Sequence, residues 1–161
     1  MRNKKIINVF MVCILFLSTS TFAQFGKKMK QEYIDEYGTK TFNRSKEEIY
    51  PIIKEVLQNN GFEIELDRLE KGLIKTNKKV VGTTGNATHS EYSSSAQYRS
   101  NYRQYYVTIN KESENEAKVV FKPKFFIGDA DVSEKRIWVL NGNAGEIKIW
   151  ERLFSEIEER L

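Results

Sequence analysis

Between Ser45 and Gly61 the apolar residues recur at helical spacing: Ile49, Ile52, Ile53, Val56 and Leu57 fall at i, i+3, i+4, i+7 and i+8. Ser45, with Glu48 three residues on, forms a capping-box start, and Asn59-Asn60-Gly61 supplies a stop. Pro51 would forfeit a backbone hydrogen bond, so either the first turn is distorted or the regular helix begins near Tyr50. Beyond Gly61 the period drops to two. Phe62, Ile64 and Leu66 alternate with Glu63, Glu65 and Asp67, and after a turn at Glu70-Lys71-Gly72 the stretch Leu73–Val81 reads as the partner strand of a hairpin.

Gly82–Gln97 is built from Gly, Thr, Ser and Asn with hardly an apolar residue, and reads as a mobile loop. Alternation then returns over Tyr98–Asn110, where Tyr105, Val107 and Ile109 share one face and Tyr98, Tyr102 and Tyr106 the other. Ala117, Val119, Phe121, Phe125 and Ile127 form the next strand, with Lys118, Lys122 and Lys124 between them and Pro123 marking an edge or a bulge. Ile137–Leu140 is one more short strand or a loop plug. A closing helix, opened by Asn143 and Glu146 in a capping arrangement, carries Ile147, Trp150, Leu153, Phe154, Ile157 and Leu161 on one side.

Upstream, Gln24–Lys40 has a loose stripe of Met29, Tyr33 and Tyr37 and reads as a short helix or tether, before a brief strand at Thr39–Asn43. The fold class expected is α+β: a single mostly antiparallel sheet of about four to five strands, with two helices packed on one face in the order β-α-β-β-β-β-α. In domain terms, 1–23 is a leader, 24–40 a tether or short helix, and 41–161 the α+β domain.

The leader follows from Arg2, Lys4 and Lys5, the apolar run Ile6–Leu17, and the small-residue site Thr21-Phe22-Ala23, with cleavage after Ala23. As a helix that run would reach about 18 Å, against about 30 Å of hydrocarbon. The alternative is an uncleaved anchor that draws in Ser18–Phe22. Cleavage leaves no membrane span and no cysteine, since Cys13 leaves with the leader; stability then rests on apolar packing without disulfides. The formal charge of +4 shrinks almost to balance once the three leader cations are gone, so bulk charge gives no argument for a nucleic-acid partner.

Candidate chemistry is sparse. His89 is the only histidine and has no cysteine or second histidine with which to share a metal. A Ser-His-Asp triad could be composed from it but lacks a nucleophile-elbow pattern. Asp129 and Asp131 could converge on calcium, yet no full oxygen set follows them. Glu63, Glu65 and Asp67 line one strand face about 7 Å apart, the spacing of a paired-acid hydrolase and equally of a solvated strand. No catalytic residue, cofactor or metal is therefore assigned. What remains is a sheet face: Tyr98, Tyr102 and Tyr106 beside Lys118, Lys122 and Lys124, flanked by Arg99 and Arg103. Aromatic faces with cations can dock an anionic envelope component, an acidic protein or a glycan. The competing reading is ordinary strand chemistry, in which Tyr favours sheets and Lys protects edges.

Phe42–Thr76, with its helix, Gly61-Phe62, Asp67 and then Gly72-Leu73-Ile74-Lys75-Thr76, resembles BamC-like domains, helix-grip modules of the outer-membrane barrel-assembly lipoprotein. It is also similar to exported bacterial domains with a TATA-binding-protein-like sheet. The chain departs from the lipoprotein pattern at Cys13, which follows Phe10-Met11-Val12 instead of small residues. The resemblance implies a non-catalytic envelope module. The function expected is thus an exported envelope interaction domain, periplasmic or secreted, that binds an envelope protein or anionic component and no nucleic acid. The alternative is a carrier of a small hydrophobic ligand in a helix-grip cavity. N-terminal sequencing of the protein recovered from outside the cytoplasm should read from Gln24; a start at Met1 would remove the cleavage site.

Overall fold

The computed structural model describes residues 26–90 and 93–161; the expected leader and Cys13 lie outside the described residues. The first helix, α1 (Gln31–Tyr37), ends at Gly38 and runs straight into strand β1 (Thr39–Phe42). Its buried residue is Ile34, with Met29 and Tyr37 packed against the core beside it.

Helix α2 (Lys46–Asn59) starts on reciprocal hydrogen bonds: Ser45 Oγ accepts from the Glu48 N–H, and Glu48 Oε2 accepts from the Ser45 N–H. The helix begins before Pro51 and runs through it. Pro51 is exposed, as is Glu47, whose carbonyl loses its helical donor, so water can take the missing bond. At the other end Phe62 N donates to Leu57 O and Gly61 N to Gln58 O, closing the helix on the glycine.

Then come β2 (Ile64–Arg68), β3 (Leu73–Thr76), β4 (Lys79–Ser90), β5 (Ser93–Ser113), β6 (Glu116–Ile127), β7 (Ala130–Asp131) and α3 (Glu146–Glu158). All pairings are antiparallel, in the order β1-β6-β5-β3-β2, with β4 also on β5 and β7 also on β6. The expected four to five strands and two helices are therefore corrected to seven strands in one sheet and three helices among the described residues.

Three physical reasons account for the difference. Leu73–Val81 is not one strand but two, broken at Asn77-Lys78, where buried Thr76 accepts from Tyr105 N through its Oγ1 and from Gln104 Nε2 through its carbonyl. Gly82–Gln97, expected as a loop, carries the paired ends of β4 and β5. Ladder bonds are made by the backbone, so a Ser/Thr-rich hairpin needs no apolar alternation to form, and its described flanks, Gly82–Gly85 and Ala96–Arg99, are exposed. Strand β7 spans two residues, too short for any period to reveal. Ile137–Leu140 is a loop plug, bridged to Lys27 through Trp138 and to the start of α3 by the Val139 and Leu140 carbonyls, which accept from Glu146 N and Ile147 N.

One face of the sheet is covered by α2 and α3. Tyr105, Val107, Ile109, Ala117, Val119, Phe121 and Ile74 point into it, and from α3 Trp150, Leu153, Phe154 and Ile157 fill the space above. A run of rings crosses this core: Phe62 to Tyr105 at 5.1 Å, Tyr105 to Phe121 at 5.8 Å, and Phe121 to Phe154 at 5.3 Å, each edge to face. Pro123 pairs with Tyr105 without a register shift. The N–H groups of Phe121 and Phe125 bond outward, to Gly38 O and Ser133 Oγ, so the Pro123 nitrogen faces the unpaired gap between β1 and β7. The strand is thus an edge at that point, with no bulge.

Gly72, just before β3, lies close against Ile109 of β5. Its φ is +58°, Ile109 N donates to its carbonyl at 2.7 Å, and an added Cβ would stand 2.0 Å from Ile109 O. Gly128 shares that φ with nothing within 4 Å of the added carbon. Gly128→Ala should cost about 1 kcal/mol of unfolding free energy for the left-handed backbone alone. Gly72→Ala should cost about 3 kcal/mol or more, because the strand must also move off its neighbour. Urea unfolding of both variants checks this, and equal losses would reject the close approach.

Candidate functional site

The opposite face of the sheet carries no long helix among the described residues. Register sets Tyr106 between Lys122 on β6 and Lys75 on β3, with Gln104 opposite Lys124 and Tyr102 opposite Phe126. Lys75 Nζ lies 5.5 Å and Lys124 Nζ 5.6 Å from the centre of the Tyr106 ring, within cation–π range. Above these residues opens a groove of about 800 Å³, floored by Leu73, Tyr106, Lys122 and Lys124 and walled by Met29 and Ile34.

Most cations in and beside the groove are already paired. Lys124 meets Asp131 at 3.0 Å, Lys28 meets Glu134 at 3.0 Å, and Lys75 meets Glu65 at 2.5 Å. The Glu65 hydrogen bond also holds the Lys75 ammonium above its ordinary range. Lys122 is exposed and makes no ion pair among the described residues.

Of the eight residues expected to form a binding face, Tyr106, Lys122 and Lys124 come together in the groove. Half-buried Tyr102 adjoins it across from Phe126, whose ring has Lys78 Nζ 4.1 Å from its centre. Tyr98 and Arg99 stand out on the β4–β5 arm, Tyr98 being 74% exposed, and Lys118 lies at the far end of β6 opposite Asn110. Arg103 does not belong to this face. It is two residues from Tyr105 on the same strand and so points to the helix side.

The other expectations resolve differently. A register shift between Ile64 and Leu66 separates the strand carboxylates. Asp67 turns toward α2, where Tyr50 Oη donates to it at 2.7 Å and Lys54 bonds its other oxygen, while Glu65 faces Lys75 and Gln104. Lys54 and Tyr50 hold the Asp67 carboxyl below its usual range, and burial pushes the Tyr50 phenol up. No shared acid pair results. The oxygens of Asp131 are taken by Ser133 and Lys124, and the Ser133 hydroxyl leads in lowering its pKa to about 2. Among the described residues no three potential metal ligands converge. His89 falls on β4 opposite Ser94, and its side chain lies outside the described residues.

The sequence reading missed a buried polar cluster. Glu146 was expected to help cap the last helix; instead the N-cap is Gly145, with no side-chain cap, and Glu146 is fully buried. Tyr105 Oη donates to its Oε1 at 2.5 Å, and Arg103 Nη2 stands 3.0 Å from Oε2 without hydrogen-bond alignment. Burial raises the Glu146 carboxyl, against the opposing pull of Arg103 and Tyr105, and burial with the Glu146 charge raises Tyr105 well above the usual phenol range. Strand parity could have placed Arg103 with Tyr105. Nothing in the pattern marks a glutamate in the first helical turn as buried.

No protein-family model matches the chain, and no curated protein matches it. Among solved structures, it is similar to a DUF4468 family protein from Bacteroides ovatus, at 16% identity over 83% of this chain and 95% of that one, with a TM-score of 0.40. A likeness at that level carries no argument about family or activity, and nothing in these comparisons supports a BamC-like relationship. No helix among the described residues is long and apolar enough to cross a membrane.

The buried carboxyl makes stability depend on pH. Its folded pKa is raised, so its contribution is fully present below about pH 4.5 and is lost as pH rises through the folded value. Glu146→Gln does not titrate. The unfolding free energy of the native protein minus that of Glu146→Gln should therefore fall as urea titrations move from about pH 4 to about pH 8. A difference that stays flat or grows would show that Arg103 holds the ionised form instead.

Proposed function

We propose that this protein is an exported, non-catalytic interaction domain of the cell envelope that docks an acidic segment of an envelope protein along the open face of its sheet. The observation that carries this reading is the groove: a Tyr106 ring flanked by two ammonium groups, an unpaired Lys122 on the floor, and an apolar wall from Met29 and Ile34. An acidic chain meets such a surface through its carboxylates, while the ring and wall take up the aliphatic parts of its side chains. The lysines already tied to exposed carboxylates lose little by exchanging partners, because ion pairs at the surface are weak. Trp150, Leu153, Phe154 and Ile157 fill the space beneath α3, so a carried ligand would sit at the edge of that helix and not under it.

Fluorescence anisotropy with a labelled glutamate-rich peptide tests the reading directly. Affinity should fall as salt rises, and Lys122→Glu should weaken binding about tenfold by setting like charges against each other. Identical affinities for the native protein and Lys122→Glu would sink it.

A further inference from the structure

On the helix side, at the N-terminal end of α3, a second recess of about 330 Å³ opens, within the size range of small-molecule sites. Arg103 and Arg152 bring two guanidinium groups to it, and Phe125, Trp138, Val139 and Ile149 supply apolar wall. The wall is fixed: Trp138 Nε1 donates to Ser133 O at 2.7 Å, and its ring packs edge to face on Phe125 at 5.5 Å.

Charge here is unbalanced. Glu146 faces Arg103, whereas Arg152 makes no ion pair among the described residues, although it is close enough for its charge to act on Tyr105. Arg103 Nε is buried with no acceptor among the described residues, and a guanidinium N–H in that position carries an uncompensated desolvation cost. A recess with an unpaired guanidinium at Arg152 and an apolar wall suits one kind of ligand.

We infer that it binds a small amphipathic carboxylate. Arg152, with the part of the Arg103 guanidinium that stays open to solvent beside it, takes the planar two-oxygen head, which matches the guanidinium fork. The aliphatic or aromatic tail lies against Phe125, Trp138 and Ile149. A bare phosphate fits less well, because its further oxygens would be turned to apolar wall without donors. This site lies on the opposite side of the sheet from the groove, and its failure would leave the docking reading untouched.

Calorimetric titration of the expressed full-length chain, as the cell processes it, tests the inference with octanoate as probe and with octanol and inorganic phosphate for comparison. Octanoate should bind, while octanol and phosphate give no heat. Arg152→Gln, at an exposed position, should weaken octanoate about tenfold, the loss of a charge-assisted hydrogen bond. Val139→Glu, also exposed, sets a carboxylate on the wall and should weaken it at least as much. Absence of octanoate heat at about millimolar concentration, unchanged affinity in Arg152→Gln, or phosphate binding as tightly as octanoate would each overturn it.

Discussion

The ladder of β5 constrains the rest of the molecule. It pairs with β6 along one side and with β4 and β3 in succession along the other, so each residue's parity on this one strand decides which side of the protein it serves. Tyr105, Val107 and Ile109 are committed to the helices; Tyr102, Gln104 and Tyr106 are committed to the open face. A slip of one residue would exchange the two sets and expose the core. Gln104 and Thr76 secure the point where the partner changes from β4 to β3, with the Gln104 amide donating to Thr76 O and the Tyr105 N–H to Thr76 Oγ1. Those bonds occupy the polar groups that the break at Asn77-Lys78 would otherwise leave buried without partners.

How much of this could be read from the chain follows from how local each determinant is. Helix α2 was legible because its apolar spacing, its Ser45–Glu48 box and its glycine stop all lie within a few residues of one another. The Tyr106, Lys122 and Lys124 cluster was legible because a period of two assigns faces without knowledge of partners. Neither the groove's wall nor its depth was, since α1 reaches it from a segment with a weak stripe. The β4–β5 arm was invisible for a different reason: both of its described flanks are exposed, so hydrophobic alternation, the signal used to find strands, was never required of it. At Glu65 a single register shift reversed the faces that alternation had assigned to Leu66 and Asp67, and with them the apparent row of acids.

Arg103 and Glu146 show the limit of pattern reading more sharply. Each looks like a surface residue by type, and their meeting depends on α3 docking so that its first turn lands on β5. Burying both is costly, and replacing such a pair with apolar residues is often neutral or stabilising. Their presence at this one place, beside a phenol that bonds the carboxyl, does not follow from packing needs alone. The ring run from Phe62 through Tyr105 to Phe121 could have been completed by phenylalanine at position 105, which would leave Glu146 without its aligned donor.

The two faces consequently differ in kind. On the open face the charges are exposed and mostly paired with flexible carboxylates, so they can exchange partners at little cost and suit reversible docking of an extended segment. On the helix side the guanidinium of Arg103 is nearly withdrawn from water and faces a buried carboxyl, so its charge cannot exchange partners freely. Because both faces are set by alternate residues of the same strand, a change in the backbone of β5 near Gln104 would reach both at once, whereas a side-chain change on either face is screened from the other by the sheet itself. The strand therefore keeps the two surfaces chemically independent while fixing them mechanically to each other.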